Sequence, residues 1–135
     1  MKNTIKSIVL FGFIALICSC EKDEGKLPNI SFKTGWSYIS SDVSKAKGSN
    51  ITIGIDASKA EDKDVLKKFN ISRSINGGAA ATVFDKDLSG SEGDNYTYDY
   101  NATLDTIAGQ LNKYTFTITN RDGLTNQLSL NVTIN

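Results

Sequence analysis

Histidine is absent from this chain of 135 residues, and cysteine occurs only twice, at Cys18 and Cys20. Without histidine there is no Ser-His-Asp or Cys-His machinery and no ordinary zinc site. With no cysteine beyond position 20, no disulfide can brace the remaining chain, which must fold by packing. Proline and tryptophan each appear once, at Pro28 and Trp36. An excess of one charge is also lacking, with 15 basic residues against 15 acidic ones. That balance gives no electrostatic footprint for nucleic acid and no basic patch for anionic lipid, so neither is expected as a partner. The apolar run Ile8–Ile17 is about half the roughly 20 residues that a membrane-spanning helix needs.

That short run has a different meaning. Lys2 and Lys6 precede it and small residues follow it, the layout of a secretory signal over residues 1–19. Ile17-Cys18-Ser19-Cys20 has a branched aliphatic at −3, a small residue at −1 and cysteine at +1. The motif resembles the lipobox of bacterial lipoproteins, which implies cleavage between Ser19 and Cys20 and acylation of Cys20. Cys18 fits less well, because Ile17 would occupy the small-residue position. An ordinary signal peptide with an incidental cysteine is the alternative. Stable anchoring takes more than one acyl chain, as such lipoproteins carry. Glu21-Lys22-Asp23-Glu24 follows, and Lys22, Asp23 and Glu24 resemble the surface-export signal of Bacteroidetes lipoproteins; a merely solvated charged tether is the competing reading. The resemblance implies an outer-membrane, cell-surface address with membrane lipid as a partner through Cys20.

From Ile30 onward the pattern is period-two alternation cut by turn residues, which predicts an all-β domain. Ile30 and Phe32 alternate, Trp36–Ile39 resumes the run, and Ile51, Ile53 and Ile55 mark a half-buried strand. Ser58-x-x-Glu61 has capping-box spacing and predicts one short helix reaching about Lys67. Phe69, Ile71 and Ile75 follow, with Arg73 on the apolar face. Asn76-Gly77 predicts a type I′ hairpin turn. Residues 89–94 read as a loop. Tyr96, Tyr98, Tyr100, Ala102 and Leu104 share one face, as do Tyr114, Phe116 and Ile118, and Leu128, Leu130, Val132 and Ile134. The last hairpin turns at Asn120–Gly123. Gly109, Tyr114–Asn120, Gly123 and Leu128-x-Leu130-x-Val132 resemble the F–G hairpin of bacterial Ig-like and polycystic-kidney-disease-type domains. The resemblance implies an immunoglobulin-like antiparallel sandwich of seven to eight strands, with Tyr114 as its tyrosine-corner residue. The domain division is then 1–19 signal peptide, 20–28 lipidated cysteine and tether, and 29–135 sandwich.

No catalytic constellation emerges, and a non-enzymatic protein without cofactor or metal is expected. Asp62-x-Asp64, Asp85-x-Asp87 and Glu92-x-Asp94 offer oxygen ligands, but each adjoins lysine or a solvated loop and reads as hydrated surface. Trp36 and Tyr38, next to Gly35, are the candidate ligand contacts, for a glycan or a protein. The tyrosines at 96, 98 and 100 read as packing. Asp105-Thr106-Ile107 resembles a Bacteroidetes O-glycosylation site, which implies modification at Thr106. The expected function is a non-catalytic binding or adhesion module working through loops such as 40–50, 89–95 and 105–112. The alternative is a periplasm-facing accessory subunit of an envelope complex. A tether over 20–28 would reach on the order of 25 Å.

Overall fold

A computed structural model describes residues 24–135. The signal segment 1–19, the cleavage pair Ser19 and Cys20, and Lys22 and Asp23 lie outside the described residues. Eight strands run in order: β1 (Asn29–Phe32), β2 (Val43–Lys45), β3 (Asn50–Ser58), β4 (Leu66–Ile75), β5 (Ala81–Asp87), β6 (Asn95–Thr103), β7 (Leu111–Asn120) and β8 (Thr125–Ile134). They form two packed sheets, β1-β3-β6 and β2-β8-β7-β4-β5. Every pairing is antiparallel except β2 with β8. The protein is an all-β sandwich.

The alternating residues meet in the middle. Ile51, Ile53, Ile55 and Ala57 pair across to Ala102, Tyr100, Tyr98 and Tyr96, and this face packs on Phe69, Ile71, Phe116, Ile118, Leu130 and Val132. Ring contacts carry much of the closure: the Phe69 ring lies 5.2 Å from Tyr96, 5.7 Å from Tyr98 and 6.4 Å from Phe116. Phe84 and Tyr98 stack at 4.4 Å where the edge strands β5 and β6 face each other. Tyr96 is buried deeply enough that its phenol is pushed up to about 12 by desolvation. The packing reading of these tyrosines holds.

Turns follow their residue types. Asn76 and Gly77 both take positive φ (51° and 74°), and the Gly78 amide donates to the Ile75 carbonyl at 2.9 Å, as the type I′ expectation requires. Two expectations are corrected. No helix follows Ser58: β3 continues to that residue, and the seven-residue link 59–65 turns sharply, with the Asp64 amide donating to the Glu61 carbonyl. Glu61 is taken up by Lys26 at 2.8 Å instead of capping, and so short a link cannot repay helix nucleation. Among the described residues the helical element is a single 3-10 turn at Gly90–Gly93, in the stretch read as loop. Trp36–Ile39 is not a strand but part of a loop. Tyr114, the expected tyrosine-corner residue, is buried, pairs across to Arg73 on β4, and has its phenol raised by burial.

Asp64 departs from the hydrated-surface reading, being fully buried. It fastens the segment before β1. The Lys26 amide donates to Asp64 Oδ2 at 3.0 Å, the Lys26 carbonyl accepts from Asn120 Nδ2 at 3.0 Å, and the Pro28 carbonyl accepts from Asn126 Nδ2 at 2.9 Å. The Lys26 amide first, then the Asp122 carboxyl and the nearby Lys63 and Arg121, hold Asp64 below the usual carboxylate range against the cost of burial. A carboxylate with a depressed folded pKa stabilises above its unfolded pKa and loses that contribution as pH falls through the folded one.

Two outcomes are expected. Phe69→Ala should cost about 3–5 kcal/mol in denaturant unfolding, as loss of a buried aromatic does. Acidification below about pH 4, or Asp64→Asn at neutral pH, should speed hydrogen exchange at the Lys26 amide while core amides of β7 stay protected.

Candidate functional site

Ten aromatic residues fall within the described chain, and eight of them join in ring contacts inside the sandwich: Phe32, Phe69, Phe84, Tyr96, Tyr98, Tyr100, Tyr114 and Phe116. The remaining two are Trp36 and Tyr38, the pair singled out from sequence. Trp36 is completely exposed, at 109 % of its reference area. Its ring lies wholly in water and adds nothing to the core.

The edge of the three-stranded sheet explains how it comes to be there. β1 pairs with β3 as far as the Lys33 amide, which donates to the Gly54 carbonyl at 2.9 Å. Pairing resumes where the Ile39 amide donates to the Thr52 carbonyl at 2.9 Å. The chain from 33 to 39 therefore spans only two residues of β3, and the excess buckles outward with Trp36 in its middle. Gly35, at φ 132°, and a bond from the Tyr38 amide to the Gly35 carbonyl at 3.2 Å close the buckle.

Tyr38 returns from this loop onto the outer face of the sheet. Gly54 lies beneath it in the middle of β3, a position where a glycine marks close approach. A Cβ there would sit 2.7 Å from Tyr38 Cε1, 2.7 Å from Lys33 Cδ and 2.9 Å from Asp99 Oδ1. The Tyr38 hydroxyl donates to Asp99 Oδ2 at 3.1 Å, and Lys33 Nζ pairs with Asp99 Oδ1 at 2.7 Å. The same ammonium sits 5.6 Å from the Tyr38 ring centroid, within cation–π range. The Lys33 bond first, then the Tyr38 hydroxyl, holds Asp99 below the ordinary carboxylate value, and the Asp99 bond holds Lys33 above its own, so both stay charged. Tyr38 is thus fixed at both its ring and its hydroxyl before any ligand arrives.

On either side of this bridge the outer face carries short polar side chains. Asn29, Ser31, Asp56, Ser58, Asn95 and Thr97 line a depression of about 520 Å³ toward one end. Thr52 and Asn101 (2.7 Å apart) and Asn50 and Thr103 (2.8 Å apart) line a smaller one of about 340 Å³ toward the other.

The other sequence-derived sites lie elsewhere. Glu24 is exposed at the start of the described residues. Thr106 is exposed in the β6–β7 loop, but its neighbour Asp105 works structurally, accepting from Gln110 Nε2 at 2.6 Å and facing Arg73 at 3.7 Å. The acidic pairs are engaged by lysines: Asp85 by Lys68, Asp94 by Lys59 and Glu92 by Lys86. The aromatic pair falls outside loops 40–50, 89–95 and 105–112, which were the expected contact regions. Lys33, Gly54 and Asp99 were not anticipated. The signal for them was a lone glycine in the centre of a clean strand.

Gly54→Val should displace Tyr38 and Lys33 and release Asp99, whose carboxyl should titrate closer to its ordinary value by carbon-detected NMR, while the sandwich remains folded.

No family model matches the chain, and no curated protein matches it. Among solved structures it is similar to the sporulation control protein Spo0M from Bacillus subtilis, with a TM-score of 0.48 and 7% identity over 80% of this chain and 48% of that one. It is also similar to a β-glucosidase from Listeria innocua in complex with glucose, at a TM-score of 0.46 and 5% identity over 78% of this chain and 16% of that one. The chain spans about half the length of the first and a sixth of the second, and likenesses this distant bear on neither activity nor ligand.

Proposed function

We propose that this protein is a lipid-anchored outer-membrane lipoprotein, displayed at the cell surface, that works as a non-catalytic binding or adhesion module. The observation that carries the binding part is Trp36, held fully in water by a buckled sheet edge beside a tyrosine that is already immobilised. Rigid aromatic groups bind at low entropic cost, and tryptophan and tyrosine are the residues most often found as anchors in recognition surfaces. The lipobox and the Lys22-Asp23-Glu24 pattern support the address. Because Lys26 is bonded to the sandwich and Gly25 lies against it, only residues 20–24 would act as tether. They reach at most on the order of 20 Å, so the domain would stand close against the membrane.

Trp36 is the only tryptophan in the chain, so its fluorescence reports this position alone. Cells producing the full chain should bind extracellular polymers or neighbouring cells, and Trp36→Ala should abolish that binding without lowering the surface level of the protein. Unchanged binding in the variant would remove the role assigned to Trp36. For the address, protease added to intact cells should degrade the wild type and spare Lys22→Ala/Asp23→Ala/Glu24→Ala. Protection of both would end the adhesion reading in favour of a periplasmic accessory subunit.

A further inference from the structure

The outer face of the three-stranded sheet has a chemistry of its own, and we propose that it binds a neutral, extended oligosaccharide, with Trp36 and Tyr38 offering aromatic surface to its sugar rings and the depression at the β1-β3-β6 end, rimmed by short polar side chains, receiving the rest of the chain. This deepens the binding reading above and rests on it.

Shape comes first. Outward positions of β3 run from Asn50 to Ser58, a length of about 27 Å at strand rise. Short side chains keep the face low along that length, while the Tyr38–Lys33–Asp99 bridge stands across Gly54 near its middle. The depression beside the bridge, about 520 Å³, lies within the size of small-ligand sites.

Charge then selects the ligand. Asp56 is exposed and forms no ion pair among the described residues. Among the described outward positions of this sheet the cation is Lys33, committed to Asp99, and Lys59 just past the end of β3 is paired with Asp94. A phosphate, a sulfated or uronic-acid polymer, or an anionic lipid would meet the Asp56 carboxylate, only partly offset by Lys33, and an ammonium already paired with Asp99. A neutral polyol meets what it needs: Asp56 to accept from adjacent hydroxyls, amides of Asn29 and Asn95 that both donate and accept, and hydroxyls of Ser31 and Ser58 that do the same. The flat ring of Tyr38, pinned by its hydroxyl and by the absence of a side chain at Gly54, suits the C–H face of a pyranose. The outer face of the five-stranded sheet has comparable threonines and asparagines but no aromatic residue.

The test uses the full lipidated chain in detergent micelles. It is titrated with neutral gluco-, manno- and galacto-oligosaccharides of two and six residues, α- and β-linked, reading Trp36 emission and, independently of tryptophan, calorimetric heat. At least one hexasaccharide is expected to bind at least tenfold more tightly than its disaccharide and to shift Trp36 emission to the blue. Ser31→Tyr, which fills the depression from the exposed edge strand, should cancel that length advantage. Asp56→Ala should weaken hexasaccharide binding about tenfold.

If Trp36 responds but affinity ignores both chain length and Ser31→Tyr, the groove is overturned while the binding reading survives. If no neutral oligosaccharide gives either signal, the sugar class is overturned, and cell binding that still depends on Trp36 would then point to a protein ligand. Preference for acidic over neutral sugars would overturn the charge argument directly.

Discussion

Phe69 stands where the two sheets meet, in a domain whose described residues include no cysteine to cross-link it. The ring reaches from β4 to Tyr96 and Tyr98 on β6 and to Phe116 on β7, so one side chain couples an edge strand of the small sheet to the centre of the large one. Its position depends on an irregularity. Leu66 and Phe69 both point inward although three residues apart, because the β4–β7 register shifts between Leu66 and Lys68. The bulge re-aims the strand so that its aromatic residue lands on the tyrosine row. At one end of the core Asn120 and Asp64 bond the incoming segment through the Lys26 carbonyl and amide.

Concentrating eight aromatics in the interior gives the two that stay outside their meaning. The small sheet is only three strands wide, and β1, its edge, changes allegiance: the chain leaves β3 after Ile39 and joins the other sheet as β2, beside β8. Asp42 anchors that crossing by accepting from the Asn131 amide at 2.8 Å and from its side chain at 3.1 Å. The buckle that carries Trp36 lies just ahead of that crossing, between two bonds to β3. The glycine in β3 makes the candidate site rigid by letting Tyr38 lie on the sheet.

The same reasoning places the incoming chain. Lys26 through Pro28 are bonded to the β7–β8 end of the sandwich, opposite in sequence but adjacent in space, so the segment before β1 is part of the domain and not a free leash. A buried carboxylate is a costly way to fasten a chain end unless it is hydrogen-bonded, and Asp64 meets that condition on one oxygen through the Lys26 amide.

Composition and alternation by themselves determined that the described residues form an all-β sandwich, which residues face inward on β3, β6, β7 and β8, and where the Asn76-Gly77 turn falls. These are local matters: period two fixes facing, and positive φ fixes the turn. The lone tryptophan next to a glycine was also legible as a candidate contact. Only the tertiary structure decided the rest, because it depends on partners distant in sequence. The capping-box spacing at Ser58–Glu61 lost to a tight link between two long strands and to Lys26, which claims Glu61 from the other end of the chain. Asp64 became a buried anchor because Lys26 and Asp122 converge on it. Tyr38, Lys33, Gly54 and Asp99 became one site because β3 and β6 bring Gly54 beside Asp99 while the buckle lays Tyr38 across both.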